Sequence, residues 1–206
     1  MAGRARRRVG VFGGTFDPPH YGHLSAASEA LEQLDLDLVL LTVANDPWQK
    51  TSPTDGRQVV DITSAGRRLA MVAAAVEGLD GIEADDIEIR RGGPTYTADT
   101  LVDLENRYPG ADLLLLVGVD VATHLDTWLR PDEIRERATI VVMTRPGSGQ
   151  LFLPEGWEYD LLQVPAYDIS SSEVRRRVAA GEGVGAMVPP SVILLIEEVG
   201  LYRDMT

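Results

Sequence analysis

The sequence predicts an α/β fold built on a doubly wound parallel sheet. Three observations carry that prediction. Short apolar runs alternate with stretches of helical period along all 206 residues, the pattern of right-handed strand–helix–strand crossovers. Residues 38–44 are almost entirely apolar, as a parallel strand covered on both faces should be. Paired glycines, Gly13 and Gly14, close the first apolar run where a helical period begins.

Taken in order, the first strand is residues 9–12. A helix over 20–34 follows, with Leu24, Ala27, Leu31 and Leu34 on one stripe. After the strand at 38–44 comes a helix at 64–77, a strand at 82–89 and a helix at 97–107. Tyr108-Pro109-Gly110 stops that helix. Residues 112–119 read as a central strand, 131–137 as a short helix, and 138–144 as a strand closed by Arg145-Pro146-Gly147. A short strand at 161–164 and helices at 171–180 and 190–198 complete the chain. The loop-rich stretches 46–59 and 146–158 are expected to lie within a single domain spanning 1–206, with residues 1–8 as a flexible basic tail. In such sheets a ligand sits beyond the carboxyl ends of the strands, at the point where the strand order reverses.

Composition narrows the function. The net charge is −13 and the sequence pI near 4.6, which argues against a nucleic-acid partner. There is no cysteine, so disulfides, thiolate metal sites and Cys nucleophiles are excluded, and a reducing cytoplasm fits. No apolar run is long enough for a membrane helix, and the basic start lacks the apolar stretch of a signal peptide. The expected setting is cytoplasmic, with a homo-oligomer left open. The only lysine, Lys50, follows Gln49 rather than glycine, so no P-loop is present. Phosphate must be gripped another way.

Residues 13–24 offer one. Paired glycines let backbone amides face an anion, and the helix that follows presents unpaired amides with partial positive charge. His20 and His23 share one face of its first turn. An isolated H-x-x-H could equally be a turn with two structural histidines, and no third metal ligand stands nearby. Later, Ser170 can cap a helix, with Glu173 completing a capping box. The hydroxyls of Ser170, Ser171 and Ser172 and the guanidinium of Arg175 at one helix start can also grip a triphosphate.

The whole string Gly13-Gly14-Thr15-Phe16-Asp17-Pro18-Pro19-His20-Tyr21-Gly22-His23 closely resembles the G-G-x-F-D-P-x-H-x-G-H motif of the HIGH-type nucleotidyltransferase superfamily, whose fold is Rossmann-like. Ile169-Ser170-Ser171-Ser172-Glu173-Val174-Arg175 looks like the superfamily's I-S-S-T-x-I-R segment, with Ser for Thr and Val for Ile. Residues 91–101 resemble the R-x-G-x-S/T-Y-T-x-D-T-L segment of bacterial nicotinate mononucleotide adenylyltransferases. Pro47-Trp48-Gln49-Lys50 departs from the common P-P-H-K loop but is similar to mycobacterial relatives. Arg68 matches a conserved-pattern helix position read here mainly as packing, and Gly200-Leu201-Tyr202 a structural ending.

The resemblance implies adenylyl transfer from ATP to nicotinate mononucleotide, with Mg2+ bridging phosphate oxygens and no protein metal ligand. It assigns catalysis to His20, His23, Lys50 and Arg175. Gly13, Gly14, Thr15, Phe16, Gly118, Asp120, Ile169 and Ser170–Ser172 join the histidines and Arg175 at ATP. Thr15, Lys50, Thr95, Tyr96, Thr97, Trp128 and Arg145 fall to the mononucleotide, with Trp128 stacking on the pyridine ring. A nicotinamide mononucleotide enzyme and a non-catalytic nucleotide-binding module are the alternatives.

Overall fold

A computed structural model of the chain describes residues 6–47, 62–147 and 153–203. Its strands are β1 (Arg8–Gly14), β2 (Leu38–Val43), β3 (Ile82–Asp85), β4 (Asp112–Gly118), β5 (Ala138–Thr144) and β6 (Tyr159–Gln163). They form one sheet in the order β3-β2-β1-β4-β5-β6, with every pairing parallel. This is the doubly wound arrangement expected, and its order reverses between β1 and β4.

Period-2 alternation sorts the strand residues between two cores. Val39, Leu41, Leu114, Leu116, Val141 and Met143 point to one face. Helices α1 (Tyr21–Gln33), α2 (Ala65–Val76), α7 (Ser171–Ala179) and α8 (Pro190–Val199) contribute Ala27, Met71, Val174 and Ile196 there. Val9, Val11, Leu38, Leu40, Leu115 and Val142 point to the other, with Leu101 of α4 (Thr97–Arg107) and Ile134 of α6 (Pro131–Arg137). Proline at the start of α8 and Gly200 at φ 67° after it punctuate that helix as steric preference dictates. Among the described residues no helix is long and apolar enough to cross a membrane.

Four expectations need correction. The strand expected at 82–89 stops at Asp85, and Ile87–Arg91 forms the short helix α3. The apolar alternation slips by one residue at the Asp pair: Ile82 and Ala84 share one parity, Ile87 and Ile89 the other. Asp85 is fully occupied by Arg107 and the Thr42 hydroxyl, so the chain turns at Asp86 and closes a helical turn instead. The strand placed at 161–164 is β6, two residues earlier. As an edge strand it buries only Leu162, so its apolar pattern is weak. Residues 112–119 end as a strand at Gly118, and Val119–Ala122 begins helix α5. Arg8, expected in a flexible tail, opens β1. Its amide donates to Asp37 (2.7 Å) and its Nε to the Leu34 carbonyl (3.2 Å). Arg7 and Arg6 are engaged by Asp112, through its amide and its carboxylate respectively.

Leu41 is fully buried in the α1 and α2 core, whereas Leu161 on the sheet edge is 60% exposed. Leu41→Ala is expected to cost about 3 kcal/mol of unfolding free energy, transfer and cavity terms together. Leu161→Ala should stay within about 0.5 kcal/mol in the same denaturant titration. Equal losses would contradict the assignment of the core.

Candidate functional site

The site is built from the carboxyl ends of β1, β4 and β5. After β1 the chain makes a tight passage through Gly14, Thr15 and Phe16. Phe16 holds φ 51°, an uncommon conformation for a bulky residue that costs on the order of 1 kcal/mol. Its ring lies across Gly14, where an added Cβ would come within 2.7 Å of it. That ring meets His23 edge-on at 5.0 Å and Phe12 at 5.8 Å. Phe16 is thus a buried prop beneath the histidines.

His20 precedes the first turn of α1, and its ring stacks on His23 with centroids 3.7 Å apart. The His20 amide donates to His23 Nδ1 at 3.2 Å. In the neutral ring this places the His23 proton on Nε2, ready to donate to an anion. Burial, and then the charge of Arg145, lower the His20 pKa from 6.5 to about 4, so its imidazole is neutral near pH 7.

The start of α7 is strapped to the same loop. Ser171 Oγ donates to the Pro18 carbonyl at 2.9 Å, and Arg175 Nη1 to the Asp17 carbonyl at 2.7 Å. Ser170 caps the helix through the Glu173 amide at 3.1 Å. The expected capping box is only half present, because the Glu173 carboxylate is drawn to Arg176 and Arg177 instead. Asp17 is buried. Its Oδ1 accepts from the Tyr202 hydroxyl at 2.6 Å and its Oδ2 from the Thr63 amide at 3.1 Å. The ending read as structural therefore fixes the phosphate-motif loop directly.

These residues surround a cavity of about 920 Å³. It gathers Gly14, Thr15, Phe16, His20, His23, Gly118, Asp120, Ile169, Ser170, Ser171, Ser172 and Arg175, expected around ATP, and also Arg145, which was expected at the mononucleotide. A second cavity of about 300 Å³ adjoins it, lined by Gly13, Thr15, Thr95, Tyr96, Thr97 and Trp128. Gly14, Thr15 and Gly118 belong to both. Trp128 is half-buried at the second cavity rather than enclosed in the core. Tyr96 precedes α4 without a side-chain cap hydrogen bond, and the positive end of that helix's dipole borders the second cavity at Thr97. Lys50 lies outside the described residues.

Three contributors were not singled out as site residues in the sequence. Glu88, 5% exposed, lines the second cavity, and its Oε1 accepts from the Thr100 hydroxyl at 2.7 Å. Burial pushes its carboxyl up, against the hydroxyls of Thr100 and Thr95 and the charge of Arg91. Asn45 ties the second strand's loop to the turn before α4, its amide donating to Thr95 Oγ1 at 3.1 Å and its Nδ2 to the Gly93 carbonyl at 2.8 Å. Arg68, expected as packing, is 1% exposed and spends its guanidinium on main-chain carbonyls. None of these pairings follows a helical or strand period, so no spacing announces them.

The cytidylyltransferase-like family model matches residues 11–177. A Saccharopolyspora erythraea protein named "Probable nicotinate-nucleotide adenylyltransferase" is 41% identical over 201 residues, covering 96% of this chain and 91% of its own. One of the same name from Gemmatimonas aurantiaca is 40% identical over 205 residues, covering 96% and 93%. Among solved structures, Plasmodium falciparum nicotinic acid mononucleotide adenylyltransferase complexed with NaAD has a TM-score of 0.75 at 18% identity, covering 97% of this chain and 99% of that one. At that identity the likeness speaks for the fold.

The depressed His20 pKa has a consequence for stability. Between about pH 4 and 6.5 the unfolded chain binds a proton there that the folded chain does not. Its contribution to stability is therefore complete above pH 6.5 and is lost as pH falls toward 4, on the order of 3 kcal/mol in all. Denaturant unfolding near pH 7 and near pH 4 should show a smaller acid loss in His20→Asn than in the unaltered chain. Identical losses would mean that His20 titrates normally.

Proposed function

The chain belongs to the nicotinate-nucleotide adenylyltransferase family, and on that premise we infer that it transfers the adenylyl group of ATP to nicotinate mononucleotide, giving nicotinate adenine dinucleotide and pyrophosphate in NAD synthesis. The observation that carries the reading at this site is the junction of the two cavities at Gly14, Thr15 and Gly118. One is bounded by histidines, serines and two arginines suited to a triphosphate. The other holds an aromatic face and an uncapped helix start suited to a ring bearing a carboxylate.

In this reading a 5'-phosphate oxygen of the mononucleotide attacks the α-phosphorus of ATP in line. The bond to the bridging oxygen breaks and its electron pair leaves with pyrophosphate. The nucleophile is already an anion, so no general base is needed. Catalysis comes from alignment and from donors placed where charge develops. His23 Nε2 and the neutral His20 donate to phosphate oxygens, with Arg175 and Lys50 adding cationic charge. Thr95, Tyr96 and the first amides of α4 receive the nicotinate carboxylate over the Trp128 ring. A neutral amide in place of that carboxylate gains nothing from the helix start. Gly118 and Asp120 serve the ribose.

Nucleotidyltransferases use a divalent metal, and we assign Mg2+ here. Among the described residues no three His, Asp or Glu side chains gather to hold a metal ion, and the Asp17 carboxylate is committed to Tyr202 and Thr63. Such a site fits a cation carried mainly by phosphate oxygens and water. When bound, it neutralises charge on the departing pyrophosphate.

Pyrophosphate release with ATP and each mononucleotide tests the reading. Nicotinate mononucleotide is expected to turn over with the higher kcat/KM. His23→Ala should lower kcat by about 100-fold or more, the usual cost of one transition-state donor. Trp128→Ala should raise the acceptor KM by about 10-fold. An enzyme indifferent to both changes would place the chemistry elsewhere.

A further inference from the structure

The most buried cation among the described residues lines neither cavity. Arg68 of α2 is 1% exposed. Its Nε donates to the Thr63 carbonyl at 2.7 Å and its Nη1 to the Thr15 carbonyl at 2.8 Å. Nη2 donates to the carbonyls of Ala44 and Asn45, at 2.7 and 3.2 Å. Burying a guanidinium is expensive, and burial lowers its pKa, with Asp17 the foremost charge opposing that. A packing role would be filled more cheaply by Leu or Met.

What the four bonds accomplish is geometric. Thr15 belongs to the loop after β1, Ala44 and Asn45 to the loop after β2, and Thr63 to the lead into α2. Two of these residues reach outward into the site through their backbone amides. Asn45 holds Thr95 at the second cavity, and the Thr63 amide holds Asp17, which sits under the first. The chain of contacts therefore runs from Asp17 and Thr15 through one planar group to Asn45 and Thr95. The Thr15, Ala44 and Asn45 carbonyls lie past the ends of β1 and β2, beyond the strand ladder, and the Thr63 carbonyl lies before α2.

We propose that Arg68 is a positioning residue for adenylyl transfer: its guanidinium fixes the spacing between the triphosphate half and the pyridine half of the site, and so the alignment of the attacking phosphate with the α-phosphorus. The proposal rests on the adenylyl-transfer reading for its kinetic consequences but not for its structural ones. Each substrate contacts mainly one half, so affinity for either alone depends little on the clip. Reaction depends on both halves at once, and a displacement of about 1 Å between reacting groups can cost about 100-fold in rate. Lysine cannot replace the clip, because an ammonium donates from one point while the four carbonyls lie on three segments.

The test compares Arg68→Ala and Arg68→Lys with the unaltered enzyme. Calorimetric binding of ATP alone and of nicotinate mononucleotide alone should change by less than about 5-fold, while kcat at saturation falls by about 100-fold in Arg68→Ala. Millimolar guanidinium chloride, well below denaturing levels, should restore much of that kcat, and methylammonium at equal ionic strength should not. Arg68→Lys should fold and remain slow, which decides the matter if Arg68→Ala does not fold. Amide hydrogen exchange read over residues 12–17 and 42–47 gives the structural arm. It should quicken in either variant while β4 and β5 keep their protection. Lost single-substrate affinity with unchanged kcat, a folded Arg68→Ala that guanidinium does not restore, or an Arg68→Lys of normal kcat would each overturn the proposal. If the unaltered chain fails to turn over any pyridine mononucleotide, the reaction assigned above falls, and unchanged exchange in the variants would then overturn the clip independently.

Discussion

Everything in this molecule hangs on the reversal of strand order at β1. With β2 on one side and β4 on the other, both in parallel register, the connections leave β1 in opposite directions. Their departure opens a crevice beyond its carboxyl end that no crossover helix fills. The backbone there cannot continue the sheet's ladder, so its polar groups are free to take other partners. Gly14, Thr15 and Gly118 sit at that point and border both cavities. The loops around them are held from several sides: by Arg68, by Ser171 and Arg175 of α7, and by Tyr202 after α8. A site whose first turn is conformationally costly at Phe16 needs that much support.

The acidity of the chain and its anionic ligands are reconciled at short range. A net charge of −13 is spread over a surface where interactions beyond about 8 Å are screened at physiological salt. Inside the crevice the relevant field comes from amides at the starts of α1, α4 and α7 and from Arg145 and Arg175. The neutral state of His20 belongs to the same balance. A desolvated imidazole beside the Arg145 charge keeps its donor capacity without adding a buried charge of its own. On the outside, Arg176 and Arg177 are paired with Glu173 and Glu182.

Much of this was legible in the sequence, for identifiable reasons. Element order followed from apolar period, and the phosphate-motif loop and the α7 start followed from contiguous strings whose spacing is set by a single turn. What escaped depended on contacts between segments distant in sequence. The turn at Asp86 is dictated by Asp85 meeting Thr42 and Arg107. Arg68 reads as a packing residue because a helix stripe records that a position is buried, not what its donors reach. Glu173 was read as a capping partner on spacing alone, and the neighbouring arginines won it electrostatically. Arg145 follows β5 yet lines one cavity with the loop after β1, since strand order rather than sequence order decides which loops meet.

The bond between Tyr202 and Asp17 spans 185 residues of sequence. On a ribosome adding about 5–20 residues per second, the Asp17 loop emerges roughly 10–40 seconds before the hydroxyl that completes it. Through that interval β1, β2 and α1 can already assemble, but the crevice floor lacks its last donor, and α7 is made only late in it. Nucleotide in the surrounding solution thus meets a finished pocket only after residue 202 has emerged. Until then the loop beneath the histidines is held without the hydroxyl that closes it.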